Sequence, residues 1–207
     1  MTENFDNRAF LIGRLESGFE FVYMQKKEKI YSSAMLITRK SGIVDRVPVT
    51  ITETELSKLG ELPALDLYKF KVEGFLVTNP ENLLIGNRYE VSVRILKCSW
   101  EFNNTSDVNR LEVTGTICTT PKFRDTPKGR KICDFMIYVP AESAENNAAI
   151  VHAIAWEKYA YLIRNLKTGN KITIVARIQS RKYKKLSGIR GIEEKEVYEA
   201  SVLNFSL

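Results

Sequence analysis

A stretch near the N-terminus returns about one hundred residues later, and this repetition limits the folds open to the chain more than any other feature. Asn7-Arg8-x4-Gly13-x-Leu15 recurs as Asn109-Arg110-x4-Gly115-x-Ile117, an offset of 102. The same offset carries Ile30–Ile37 onto Ile132–Val139 and Phe70–Leu76 onto Ile172–Ile178. The last pair, Tyr89–Val93 and Tyr198–Val202, matches at 109, which places seven additional residues in the final hairpin of the second copy. A repeat of domain length means two copies of one fold. The 207 residues are enough for two cores of ordinary size. The expected boundaries are 1–102 and 107–207, joined by the short polar stretch Glu101–Asp107.

Each copy reads as strands with one helix. Phe135, Ile137 and Val139 alternate with Asp134, Met136 and Tyr138, the period of a half-buried strand. Ile172, Ile174, Ala176 and Ile178 form the apolar face of a longer strand. Its other face carries Arg177, Gln179, Arg181 and Tyr183. Asp125-Thr126-Pro127-Lys128-Gly129 has the composition of a hairpin tip. Trp156–Leu166 has a short helical pattern with Gly169 as its stop, and Thr52 or Thr54 caps a weaker equivalent over Glu55–Leu59. The expected fold is all-β, two tandem five-stranded OB-fold barrels, each with a short helix between strands three and four. Barrels of this order bind oligonucleotides on strands two and three.

Charge is unevenly divided. Residues 1–104 carry 14 Lys+Arg and 14 Asp+Glu, whereas residues 105–207 carry 17 and 11, so the whole net charge of +6 lies in the second copy. That excess favours a polyanionic partner, although a solvated basic face would look the same. Three cysteines without a CxxC argue against a disulfide framework. A single histidine argues against most metal sites and His-based catalysis. No phosphate-binding glycine loop and no nucleophile–base arrangement is present, so neither an enzyme nor a cofactor is expected. The polar N-terminus and the lack of a long apolar run point to a soluble, cytoplasmic protein.

Several spaced segments of the second copy resemble bacterial single-stranded DNA-binding proteins. They are Asn109–Gly115, Phe123–Gly129, His152–Lys158, Leu166–Lys171 and Ala176–Tyr183. In the first copy the best stretch is Asn7–Leu15. The resemblance implies sequence-independent binding of single strands in replication, recombination or repair, with aromatic rings stacked on bases and cations along phosphates. It assigns stacking roles to Trp156 and Tyr183, and basic positions to His152 and Arg124. It also implies a homodimer, since family members with two such domains per chain present four in a dimer. Strand one or the outer face of the first copy offers the pairing surface. Ile150 stands where the family often has another tryptophan, and the chain ends at Asn204-Phe205-Ser206-Leu207 without the family's acidic recruitment tip.

The candidate strand-binding set is therefore Trp156, Tyr183, Arg181, Arg177, Lys182, His152, Arg124, Lys131, Tyr138 and Lys158. Trp156 alone would read as a packing residue, but its parity with His152 and Ile154 places it opposite the apolar Val151, Ala153 and Ala155. Tyr183 stands among four cations, where a ring gains little from folding. Tyr138 and Met136 could equally face another subunit, and Cys118 and Cys133 read as small core residues. At the repeat offset Trp156 becomes Thr54, Arg177 becomes Phe75 and Tyr183 becomes Glu81, so the first copy has lost the aromatic-basic pattern. Its Phe19, Phe21 and Tyr23 share one parity, as a second binding hairpin or as packing rings. Two other functions fit the same residues. One is a primosomal or plasmid-replication accessory protein acting through protein contacts; the other is an RNA-binding OB module.

Overall fold

The computed structural model describes residues 7–60, 63–65, 67–78, 91–141, 148–187 and 191–207, with backbone alone over 183–187 and 191–195. The first copy forms β1 (Asn7–Leu15), β2 (Glu20–Gln25), β3 (Glu28–Thr38), β4 (Val44–Thr52), α1 (Glu53–Ser57), β5 (Tyr68–Thr78) and β6 (Val91–Phe102). The second forms β7 (Val108–Ile117), β8 (Lys122–Asp125), β9 (Lys131–Val139), β10 (Ala149–Trp156), α2 (Lys158–Ile163), β11 (Lys171–Ser187) and β12 (Gly191–Ser206).

In the first copy β1 pairs with β3, β3 with β4, β4 in parallel with β6, β6 with β5, and β5 with β1 again, which closes a five-stranded barrel. Strands β7, β9, β10, β12 and β11 pair in the same circuit. The short β2 and β8 are additional to the five strands read from the sequence, and lie along the outer edges of β3 and β9. Alternation fills both interiors: Leu11, Met35, Ile51 and Phe70 in the first copy, and Leu111, Ile117, Phe135 and Ile174 in the second, are fully or almost fully buried.

The repeated motif has a physical reason at each fixed position. To close its barrel, β1 must leave β5 and join β3, and it does so at Gly13, which pairs with Phe70 while the next residue, Arg14, pairs with Leu36. A Cβ at Gly13 would lie 2.6 Å from the Leu36 carbonyl oxygen, and one at Gly115 would lie 2.4 Å from that of Tyr138. At the other end of the motif Asn7 donates from Nδ2 to the Leu76 carbonyl at 3.0 Å and accepts from the Leu76 N–H at 2.9 Å. Asn109 does the same with Ile178, at 2.6 and 2.9 Å. Each asparagine thus completes the backbone hydrogen bonding of the long fourth strand.

The two copies are joined by antiparallel pairing of β1 with β7, centred on Ala9 opposite Leu111, two positions related by the repeat itself. The join is therefore a pseudo-twofold. It occupies the strand-one edge within one chain, so that edge is not open to a second subunit. The linker is held as well: Asp107 accepts from the Thr38 N–H at 2.6 Å and pairs with Lys69 Nζ at 2.6 Å.

Other expectations are corrected. Helix α2 covers only Lys158–Ile163, and Trp156 is the last residue of β10, separated from the helix by Glu157 at φ 48°. The helix ends at Arg164, and Gly169, at φ 94°, serves the turn into β11 instead. Thr52, rather than Thr54, caps α1 by accepting from the Glu55 N–H at 3.2 Å. The last strands align at 107, not 109: Phe75 faces Arg94 and Arg177 faces Ser201. The bulges agree, since each ladder skips one residue, Leu96 or Leu203. Another register shift, between Phe21 and Tyr23, breaks their shared parity, leaving Phe21 55% exposed and Tyr23 9%. Phe19 packs edge-on against Phe70. Cys133 is buried as expected, but Cys118, just past the end of β7, is exposed.

Candidate nucleic-acid interface

On the outer side of the second barrel Trp156, Ile132 and Ile154 form an apolar floor. Ile132 and Trp156 are direct cross-strand partners between β9 and β10. Around this floor stand Arg124 from β8, Arg130 from the β8–β9 turn, Arg177 and Arg181 from β11, and Arg39 from beyond β3 of the first copy. Together they enclose an open cleft of about 500 Å³. An apolar floor under guanidinium groups suits a nucleotide, because the base can stack while the phosphate meets a cation.

The turn that presents Arg130 is built by local chemistry. Gly129 takes φ 76°, its N–H donates to the Thr126 carbonyl at 2.8 Å, and the Arg130 N–H donates to Thr126 Oγ1 at 3.0 Å. The Arg130 guanidinium then lies 4.4 Å from the Trp156 ring centre and 3.3 Å from Glu157 Oε1. One face of the indole is therefore covered by a cation, while its buried Nε1 makes no hydrogen bond among the described residues. Arg124 is aimed by Asp134, whose Oδ2 accepts from Nε at 2.7 Å.

The structure brings four of the ten candidates, Trp156, Arg124, Arg177 and Arg181, to this cleft. Arg177 sits lower in it. Burial first, and then the charge of Arg39, hold its guanidinium below the usual arginine range. His152 is buried. It is 8% exposed, with Nε2 3.9 Å from Asp134 and Nδ1 3.7 Å from Glu199, because its outward-facing position on β10 is covered by these acidic neighbours. Lys131 is tied to Asp125 at 2.6 Å, and the same contact raises its pKa. Lys158 places its Nζ 4.8 Å from the Tyr159 ring, and Tyr138 is exposed further along β9. Lys182 is exposed, with its backbone opposite Glu196. The side chain of Tyr183 lies outside the described residues, as does the loop at 142–147.

Sequence reasoning missed Arg39 and Arg130. Arg130 was visible next to the hairpin glycine; Arg39 lies in the other copy and carried no signal.

A second cleft, of about 540 Å³, occupies the corresponding place on the first barrel, lined by Glu28, Ile30, Thr52, Phe75 and Arg94 among others. Its cation has moved to the neighbouring strand. Where the second copy pairs Arg177 with Ser201, the first pairs Phe75 with Arg94. Arg94 is 8% exposed and donates to Thr50 Oγ1 at 3.0 Å, Tyr23 Oη at 3.1 Å and Gln25 Oε1 at 3.2 Å. Its burial lowers its pKa.

The fold has counterparts among known proteins. Residues 108–206 match the model of the single-strand binding protein family. The match lies within the second copy, where the candidate cleft is. The fold of the whole chain is similar to that of the wild-type single-stranded DNA-binding protein from Thermus aquaticus, with a TM-score of 0.74 and 18% identity over 98% of this chain and 92% of that one. A deletion mutant of the same Thermus aquaticus protein gives a TM-score of 0.71 and 19% identity, over 98% and 94%. At such identities the likeness speaks for the fold. No curated protein sequence matches the chain. No helix among the described residues is long and apolar enough to cross a membrane.

Proposed function

We propose that this chain is a tandem OB-fold protein that binds single-stranded DNA without sequence preference, mainly through residues 107–207, and catalyses no reaction. The observation that carries the reading is the juxtaposition of Trp156, Ile132 and Ile154 with Arg124, Arg177 and Arg181 in one cleft, on the copy that holds all the excess positive charge. A base stacked on Trp156 gains about 1–3 kcal/mol, whatever its identity. The arginines add a term that weakens with salt as counterions are released. Family match and fold both support this role. Replication, recombination or repair is the setting it fits. A homodimer remains part of the reading, formed through a surface other than the strand-one edge.

The test is a titration with oligo-dT followed by tryptophan fluorescence at two salt concentrations. The chain has two tryptophans, of which Trp156 lines the cleft, so the quenching that Trp156→Ala abolishes is the part that reports the site. Quenching that weakens with salt, and an affinity that falls roughly tenfold in Trp156→Ala when read by the anisotropy of dye-labelled oligo-dT, are the expected results. No binding even at low salt would overturn the reading. Tyr183→Ala alongside tests the second stacking position, and matched RNA tests the 2′-hydroxyl.

A further inference from the structure

The cleft on the second barrel is completed by a residue of the first. Arg39 follows β3, and its Nε donates to Asp45 Oδ2 at 2.7 Å while Nη2 donates to Oδ1. Asp45 is 1% exposed, so this two-pronged pair fixes the plane of the guanidinium. The same Nη2 reaches across the barrels to Gln179 Oε1 on β11, at 3.4 Å. Arg177 Nη2 donates to that same oxygen, also at 3.4 Å. Two cations from different barrels thus converge on one neutral acceptor.

That convergence is unfavourable in the molecule alone. The two guanidinium charges repel; Asp45 offsets that of Arg39, Glu199 accepts from Gln179 Nε2 at 2.7 Å and lies 3.7 Å from His152, and Arg177 has no carboxylate partner among the described residues. Arg177 Nε is buried and makes no hydrogen bond among the described residues. Two guanidinium groups lining one open cleft, one of them without a carboxylate partner among the described residues, make an anion site. In a cleft that takes a single strand, the anion is a backbone phosphate.

We propose that Arg39 and Arg177 form a phosphate clamp spanning the two barrels, so that the first barrel contributes directly to the strand site on the second. The clamp rests on the function proposed above, and predicts that both arginines contact one and the same phosphate.

The test uses the full chain and oligo-dT, titrated over several salt concentrations. Arg39→Gln with Asp45→Asn removes the ion pair as a neutral unit, leaving the net charge unchanged and no carboxylate stranded. Arg177→Gln removes the partner without touching that pair, and covers the case in which the first variant fails to fold. Each variant is expected to bind about five- to twentyfold more weakly at low salt. Each is also expected to lower the slope of log affinity against log salt by about 0.7, the value for one phosphate on a single strand. Combined, they should lower the slope by that amount once, not twice. Trp156→Ala, in contrast, should lose affinity with the slope intact. Unchanged affinity and slope in both arginine variants, with Trp156→Ala impaired, would overturn the clamp and leave the binding reading standing. A slope lost twice in the combination would also overturn it, since two separate phosphates would be involved. Absence of binding by the unmodified chain would overturn both.

Discussion

Replacing Asn7 by alanine should destabilise the protein by about 2–4 kcal/mol, although the residue touches no ligand and fills little space. Its side chain donates to the Leu76 carbonyl at 3.0 Å and accepts from the Leu76 N–H at 2.9 Å, and Leu76 is 1% exposed. Alanine leaves both backbone groups without a partner in a place water barely enters. An unsatisfied buried polar group costs about 1–3 kcal/mol, and the carbonyl, with a second lone pair, suffers less than the N–H. Against a total stability of about 5–15 kcal/mol this is a large loss. Urea unfolding, followed in parallel by tryptophan fluorescence and far-ultraviolet circular dichroism, would show a lower midpoint at an unchanged slope. Asn109→Ala should cost less, because its bonds to Ile178 are only partly buried. A loss below about 0.5 kcal/mol in Asn7→Ala, the range of ordinary surface substitutions, would refute the argument that asparagine is fixed in the repeat by backbone pairing.

Gly115→Ala should lower stability by about 1–3 kcal/mol or more, since its Cβ would lie 2.4 Å from a backbone oxygen that cannot move without parting the strands. Gly129→Ala, strained by φ alone and with nothing within 4 Å, should cost about 1 kcal/mol; thermal unfolding ranks the two. Stability should fall as pH rises from about 9 to 12. Burial holds the thiols of Cys98 and Cys133 near 11 and pushes Tyr198 up to about 12, all above their ordinary values. Such groups stabilise the fold in their neutral form, fully below the unfolded-state pKa and no longer once pH passes the folded value. Urea midpoints across that range, with Tyr198→Phe flattening the upper part, check the sign. A brief exposure of the native protein to a thiol reagent should label Cys118 first and leave Cys133 unlabelled, which mass spectrometry reads directly.

What the sequence made legible follows from which interactions are periodic. The two-residue alternation of β9 and β11 marks the core because every second side chain meets it, and the glycine and asparagine of the repeat stand out because backbone geometry tolerates little else there. Breaks in periodicity were not legible. The shared Tyr-Glu-x-Ser-Val of the last strands aligns them at 109, two positions from the alignment the ladders make, and the bulges at Leu96 and Leu203 leave no mark in composition. The bulge between Phe21 and Tyr23 turned a shared parity into one exposed ring and one buried ring. Helix α2 starts later than its pattern predicts, because Glu157 adopts a positive φ that nothing in its identity announces.

The site shows the same division in another form. Arg177 and Arg181 follow from strand parity and Arg124 from the resemblance, whereas His152, on the expected face, is removed from it by Asp134 and Glu199, residues that lie on neighbouring strands. Comparing the copies residue by residue hid the cleft on the first barrel, because the pair Arg177–Ser201 became Phe75–Arg94. What persists is one cation per cross-strand pair, and the unit that must be compared is therefore the pair. Arg39 exceeds even that rule. Its place in the second cleft depends on β1 pairing with β7, a join that brings the β3–β4 hairpin of one barrel to Gln179 of the other. The proposed clamp makes the junction between the barrels part of the proposed site, so the orientation fixed by Ala9 opposite Leu111 serves that site as well as the fold.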